Sequence, residues 1–179
     1  MRRLLLLFFS LTLAGLWFTP SQAAASPNCD SVWGSLYKTN STWSIAALTG
    51  VRTGRHACFD RVVFDLAGPI TGYHVGYVER VVWDGSGALV PLRGGASLNI
   101  IVNAPALDGA GDPTYTPADR TELTNVGNYR TFRQVAWAGT FEGQTTIGLG
   151  VRARLPFQVF TLPGPGAGSR VVVDVAHSW

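Results

Sequence analysis

Among the residues of this 179-residue chain that could do acid–base chemistry, Glu142 stands out, because it lies between Phe141 and Gly143, where a turn would expose it. A glycosidase needs two carboxyl groups about 5–10 Å apart, and the sequence nominates no second acid. A turn acid more often pairs with a cation, here Arg152 or Arg154. No serine stands in a nucleophile-elbow pattern, and no helical zinc-protease motif occurs. We therefore predict no enzymatic activity, with a hydrolase that uses Glu142 as the less favoured alternative.

Metal binding and cofactor binding have little support in the spacing of ligand-type residues. The three histidines lie far apart in the sequence, at His56, His74 and His177. Asp108, Asp112 and Asp119 fall in one long loop, but their order is not that of an EF-hand, so solvated loop acids are expected. The glycine-rich run at 164–168 is not followed by a helix, which favours a turn over a phosphate cradle. The sequence therefore predicts no metal and no cofactor.

One pattern, Arg-Val-Val-x-Asp or a close variant, occurs three times, at residues 61–65, 80–84 and 170–174. On a strand the arginine and the aspartate share one face, and the apolar residues between them alternate across both faces. These charges either pair with opposite charges on adjacent strands and hold the register, or they form a surface that recognises an anionic polymer. Arg61 and Arg170 are the candidates for the second interpretation.

Aromatic residues are plentiful and could stack on sugar rings. Tyr73 and Tyr77 would lie on one strand face with Val75 between them. Packing in the core is the alternative, because a small β domain needs large side chains inside. The candidate ligand-binding residues are therefore Arg61, Tyr73, Tyr77, Glu142, Arg152 and Arg170.

The elements that must position these residues are mostly β-strands. Valine is abundant, Lys38 is the sole lysine, and glycine and proline punctuate short apolar runs, which is typical of an antiparallel β domain. The turn at 84–87 is a hairpin signal. The predicted strands cover 44–53, 59–67, 73–83, 88–92, 96–103, 132–137, 145–153, 157–162 and 170–176.

Residues 104–129 interrupt the strand pattern and carry the one helical signal. Thr116 can cap a helix, Pro117 suits its first position, Asp119 completes a box-like spacing and Gly127 can end it. The pattern predicts one short helix of roughly two or three turns in a long loop. Connections of this length are often functional.

Residues 1–25 have the organisation of a secretory signal peptide. Arg2 and Arg3 form a positive start, an apolar run extends to Phe18, and residues 23–25 are alanines suited to cleavage. The run is shorter than the ~20 residues of a spanning helix, so cleavage is favoured over retention as an anchor. No second long apolar run follows. We expect a secreted or extracytoplasmic, envelope-associated protein with no membrane span after cleavage.

The two cysteines, Cys29 and Cys58, predict a disulfide, because an even count in an exported chain most often means a bridge. This bond would tether an N-terminal segment, residues 26–42, to a domain over residues 43–179. The alternative, a reduced nucleophilic cysteine, is opposed by an oxidising compartment.

The charge balance argues against a nucleic-acid partner. The chain has a formal net charge of +3, and two of its positive charges, Arg2 and Arg3, belong to the predicted signal peptide. The other arginines are dispersed along the sequence, whereas nucleic-acid binders concentrate them in a patch or stripe.

Short stretches in both halves of the sequence resemble one known family. They are residues 54–66, 73–78, 141–143, 148–151, 156–157 and 169–177. In order and spacing they are similar to the AMIN-like domain of exported actinobacterial proteins, over roughly residues 43–177. That family is related to the AMIN domain of cell-wall amidases and secretins. The resemblance implies a β-sandwich of two small sheets, a role in peptidoglycan binding or envelope localisation, and no catalysis. Gln158 stands where the family pattern has arginine.

We therefore expect an exported, non-enzymatic domain that binds cell-wall glycan or peptidoglycan. The alternative is a protein-interaction module of an exported complex, which would need an exposed edge strand or apolar patch. The sequence leaves the oligomeric state open.

Overall fold

The computed structural model describes Cys29 and residues 31–179, and the predicted signal peptide at 1–25 lies outside the described residues. This part of the chain contains eleven strands and no helix. In chain order they are β1 (Lys38–Asn40), β2 (Ala47–Arg55), β3 (Phe59–Ala67), β4 (Tyr73–Val78), β5 (Val81–Val82), β6 (Leu89–Val90), β7 (Ala96–Val102), β8 (Phe132–Phe141), β9 (Gln144–Val151), β10 (Phe157–Pro163) and β11 (Ser169–Ala176).

Two antiparallel sheets contain most of the strands. The five-stranded sheet has the order β1-β4-β7-β9-β8, the four-stranded sheet has the order β10-β11-β3-β2, and β5 pairs with β6 in a small ribbon. Alternate side chains point between the two main sheets, where Phe64, Ile100 and Phe132 are fully buried in one shared core. Because both sheets contribute to this core, the domain is a β-sandwich, and the predicted fold class is confirmed.

Strand positions follow the predicted alternation closely. The predicted strand over 73–83 is divided into β4 and β5, because the exposed Glu79 and Arg80 between them leave the sheet. The turn that follows joins β5 to β6 as expected, with Gly85 and Gly87 at φ values of 80° and 68°, which glycine adopts without strain. The sequence did not predict β1, because three residues are too few to show an alternating pattern.

The helix predicted within residues 104–129 does not form, and this prediction was wrong. The segment instead runs beside β8: the N–H of Leu123 donates to the carbonyl of Val135 (2.8 Å), and the N–H of Trp137 donates to the carbonyl of Arg120 (2.8 Å). These long-range bonds use backbone groups in place of helical bonds. They also cover part of the exposed edge of β8, which would otherwise be unpaired.

The predicted disulfide between Cys29 and Cys58 is present. It connects the N-terminal segment to the start of β3. The segment is held further along by the N–H of Phe157, which donates to the carbonyl of Gly34 at 2.9 Å. Residues before β1 are therefore attached to the sandwich both by a covalent bond and by hydrogen bonding.

No helix in the described part of the chain is long and apolar enough to cross a membrane.

Candidate functional site

Tyr73 and Tyr77 of β4 point between the two sheets. The Tyr73 hydroxyl donates to the carbonyl of Val159 (3.1 Å), and the Tyr77 hydroxyl donates to the carbonyl of Leu155 (2.9 Å) and accepts from the N–H of that residue (3.0 Å). Burial raises the pKa of both hydroxyls. Their polar ends are thus used in joining β4 to the chain at and before β10, which is a structural role.

Glu142 lies at the tip of the β8–β9 hairpin, where its sequence context places it. Its φ is 49° and that of Gly143 is 81°, as in a two-residue turn with both residues left-handed. Its exposed carboxylate forms no ion pair with any described residue. Arg152 donates to the carbonyl of His177, and Arg154 donates to the N-terminal segment. The predicted pairing of Glu142 with one of these arginines is therefore not formed.

Arg61 and Arg170 come together on the outer face of the four-stranded sheet. The antiparallel register of β3 and β11 places Arg61 opposite Asp174 and Arg170 opposite Asp65. The repeated pattern is thus complementary to itself, because each arginine faces the aspartate of the other copy. Arg52 of β2 lies beside them. We name this surface the arginine face, and it consists of Arg52, His56, Phe59, Arg61, Phe160 and Arg170.

Two ion pairs on the arginine face have side-on geometry with two hydrogen bonds each. Arg61 donates to Asp174 at 2.6 and 2.8 Å, and Arg52 donates to Asp65 at 2.7 and 3.0 Å. The hydrogen bonds that they donate to these carboxylates raise the pKa of both guanidinium groups above the usual arginine value. Both arginines stay charged, and their planes are fixed by the carboxylates.

Aromatic rings surround Arg61. Its guanidinium carbon lies 5.2 Å from the centroid of the Phe59 ring and 5.4 Å from that of Phe160, both within the range of cation–π attraction. The His56 ring stacks on Phe59 with centroids 4.4 Å apart, and Trp33 meets Phe59 edge-on at 5.7 Å. Arg61 therefore lies between two phenylalanine side chains, one of which also contacts His56 and Trp33.

A cleft of about 240 Å³ opens on the arginine face. Arg52, Arg61 and Arg170 contribute to its lining together with His56 and Gly54. Gly54 lies opposite Arg61 in the register of β2 and β3, and the absence of a side chain there leaves the cleft open. Cationic groups from three adjacent strands thus border one small space.

A family model for the AMIN-like domain matches residues 46–177. The chain belongs to the AMIN-like domain family. The matched region extends from just before β2 to just after β11, so this AMIN-like domain includes every strand that forms the arginine face. Comparison with curated proteins and with solved structures found no match.

Two of the loop acids considered as metal ligands, Asp108 and Asp119, accept local hydrogen bonds in this AMIN-like domain. The carboxylate of Asp108 accepts from the N–H groups of Ala110 and Asp112, and that of Asp119 accepts from the N–H and hydroxyl of Thr121. Hydrogen bonds from Thr121 lower the pKa of Asp119. No group of three or more metal-ligand side chains occurs among the described residues.

Several members of the arginine face were not identified from the sequence. Arg52 lies outside the three copies of the Arg-to-Asp pattern, and the sequence around Phe160 is typical of any β-strand. Both become neighbours of Arg61 only through the pairing of β2 with β3 and of β10 with β11. The positions of Asp65 and Asp174 opposite arginines could have been predicted from the sequence. Two copies of the Arg-to-Asp pattern, aligned antiparallel, place each arginine opposite an aspartate.

Proposed function

We propose that this protein is an exported, non-catalytic module that binds a cell-wall polysaccharide or peptidoglycan through the arginine face. The observation that carries the proposal is the convergence of Arg52, Arg61 and Arg170 with the rings of Phe59 and Phe160 on one sheet face. Membership in the AMIN-like family and the disulfide support an extracytoplasmic, envelope-related role.

The chemistry of this surface suits an anionic glycan. Guanidinium groups form charge-assisted hydrogen bonds with phosphate and carboxylate groups, and aromatic faces pack against the apolar faces of sugar rings. Because Arg52 and Arg61 lie on sheet strands and are held by Asp65 and Asp174, binding requires little ordering of these two side chains.

Co-sedimentation of the purified mature protein with isolated cell-wall sacculi tests this proposal. We expect pelleting at low salt that weakens as salt is raised, because the attraction is screened. The variant to compare is Arg52→Gln/Arg170→Gln, which avoids Arg61, since removal of Arg61 would leave the buried Asp174 unpaired. The matched control is Arg80→Gln, an exposed arginine from the third copy of the repeated pattern, outside the arginine face.

We expect the double variant to lose most of its pelleting, by about tenfold or more in affinity, while Arg80→Gln behaves as the parent protein. A parent protein that stays in the supernatant at low salt would refute the proposal. Equal pelleting of the double variant and the parent would show that the wall is bound elsewhere.

A second function, as a protein-interaction module, is favoured by a different surface. Three large apolar residues on this surface are exposed to solvent. Their exposed fractions are 57% for Trp43, 93% for Ile45 and 53% for Phe141. Trp43 lies close to the β8–β9 hairpin. A Cβ atom placed on Gly143 would be 3.5 Å from the Trp43 ring. Cross-linking in cells, followed by identification of the partners, separates this function from wall binding.

A further inference from the structure

Arg170 differs from the other two arginines of the cleft in having no carboxylate partner among the described residues. The register of β3 and β11 places it opposite Asp65, just as Arg61 lies opposite Asp174. Asp65, however, accepts both of its side-chain hydrogen bonds from Arg52 of β2. Three arginines therefore share two aspartates on this face, and Arg170 is the one left over.

The hydrogen bonding of Arg170 reflects this imbalance. Its Nη2 donates to the carbonyl of Pro163 at 3.0 Å, while its Nε is buried and has no hydrogen-bond partner among the described residues. A buried donor without an acceptor is unfavourable, so Arg170 is the least satisfied of the three guanidinium groups. The excess charge and the unmatched donor are thus located in the same side chain.

The neighbouring arginines have donors to spare as well. Arg52 and Arg61 each use Nε and Nη2 on an aspartate, so the Nη1 group of each has no hydrogen-bond partner in the described part of the chain. The three guanidinium groups come from β2, β3 and β11, which are successive neighbours in the sheet. The three side chains therefore line the cleft from separate strands spaced about 5 Å apart.

We infer that this cleft binds the phosphate group of a phosphate-containing wall polymer, an inference that rests on the proposed function for its choice of polymer. A carboxylate presents two oxygens in one plane and is matched by a single guanidinium fork, as Asp65 and Asp174 already demonstrate here. The phosphodiester of such a polymer lies within the chain, and the lone pairs of its two unesterified oxygens can accept from several arginines at once while the polymer continues on both sides. Arg170 supplies the uncompensated charge, and the cleft of about 240 Å³ has room for the phosphate with part of its attached residue.

The experiment is a titration of the parent protein with poly(glycerol phosphate) and, separately, with hyaluronate, a carboxylate polysaccharide, followed by NMR or calorimetry. Arg170→Gln removes the charge, Arg170→Lys keeps the charge without the fork, and Arg80→Gln is the control. Circular dichroism verifies that each variant is folded. A third arm uses vesicles containing phosphatidylglycerol, which present phosphate on a membrane surface.

We expect poly(glycerol phosphate) to bind at least about tenfold more tightly than hyaluronate, and Arg170→Gln to lose about tenfold in affinity. Arg170→Lys should fall between the two, and Arg80→Gln should match the parent. Equal affinity for the two polymers would overturn the inference, as would unchanged binding by Arg170→Gln. Binding to vesicles without binding to the soluble polymer would also overturn it. If an unfolded Arg170→Gln variant makes its comparison void, the preference of the parent protein for phosphate over carboxylate decides the matter.

The outcome is separable from that of the sacculus experiment. A protein that pellets with sacculi but shows no preference for the phosphate polymer keeps the proposed function and loses this inference. A protein that binds the phosphate polymer through Arg170 but does not pellet with sacculi keeps this inference and loses the proposed function.

Discussion

At the scale of single residues, Asp65 and Asp174 have the same position in their pattern but different surroundings. Asp174 is fully buried and its partner Arg61 is 27% exposed, whereas Asp65 is 31% exposed and its partner Arg52 is 56% exposed. Asp174 also accepts a hydrogen bond from Gln158 at 2.9 Å. Gln158 therefore belongs to the same hydrogen-bond network around Asp174.

Replacing Asp174 with alanine should destabilise the protein by about 2–4 kcal/mol, because it removes three hydrogen bonds and leaves donor groups of the partly buried Arg61 and Gln158 unpaired. Asp65→Ala, the matched control, should cost less than about 1 kcal/mol, since solvent screens that pair. Urea unfolding followed by circular dichroism measures both. Equal losses would mean that burial does not distinguish the two pairs.

At the scale of elements, the sandwich is joined along one margin by the tyrosines of β4. Alternation correctly predicted that Tyr73 and Tyr77 share one face, but it is silent on whether that face points inward. The answer depends on the opposite sheet. Its edge strand β10 supplies the carbonyl that accepts from Tyr73, and Leu155, just before β10, supplies the carbonyl and the N–H that bond to Tyr77.

Tyr77→Phe should lower stability by about 1–3 kcal/mol, because the N–H and carbonyl of Leu155 both lose their partner. Tyr73→Phe removes a single bond and should cost about 0.5–1.5 kcal/mol. Thermal or urea unfolding gives these values, and sacculus binding should be unchanged in both variants. Loss of wall binding with normal stability would instead assign the tyrosines to the ligand site.

At the scale of the whole molecule, the two ends of the described chain meet near the disulfide. The N–H of His177 donates to the carbonyl of Cys58 at 2.9 Å, and the His177 ring contacts both the carbonyl of Ala57 (3.2 Å) and the carboxylate of Asp60 (3.1 Å). Phe59 of the arginine face lies between these residues in sequence. The contacts that join the two ends of the described chain therefore also hold the backbone on either side of Phe59.

Removing the disulfide with Cys29→Ser/Cys58→Ser should lower the free energy of unfolding by about 3–4 kcal/mol, because the bond closes a loop of about 30 residues in the unfolded chain. Urea titration of the oxidised parent and of the variant measures the difference. Adding reductant should bring the parent to the stability of the variant and leave the variant unchanged. If reductant left the free energy of unfolding of the parent protein unchanged, the disulfide would have no role in its stability.

The sequence predicted local features well and distant contacts poorly. Most strands were located from alternation, which depends on residues close together in the chain. The helical signal at Thr116 and Pro117 was overridden because the backbone at Arg120 and Leu123 pairs with β8, whose residues lie beyond the range of helical hydrogen bonds. Likewise Arg61 and Arg170 were identified by their pattern, but Arg52 and Phe160 were not, since their proximity is created by strand pairing.

The all-β class, the alternate residues that share a strand face, the disulfide and the self-complementary Arg-to-Asp pattern all follow from the amino-acid sequence. The inward orientation of Tyr77, the pairing of Arg52 with Asp65 and the absence of a carboxylate partner for Arg170 among the described residues follow from the three-dimensional packing. Alternation is a property of residues close together in the chain, whereas charge partners and burial are set by sheet register and by the packing of one sheet on the other.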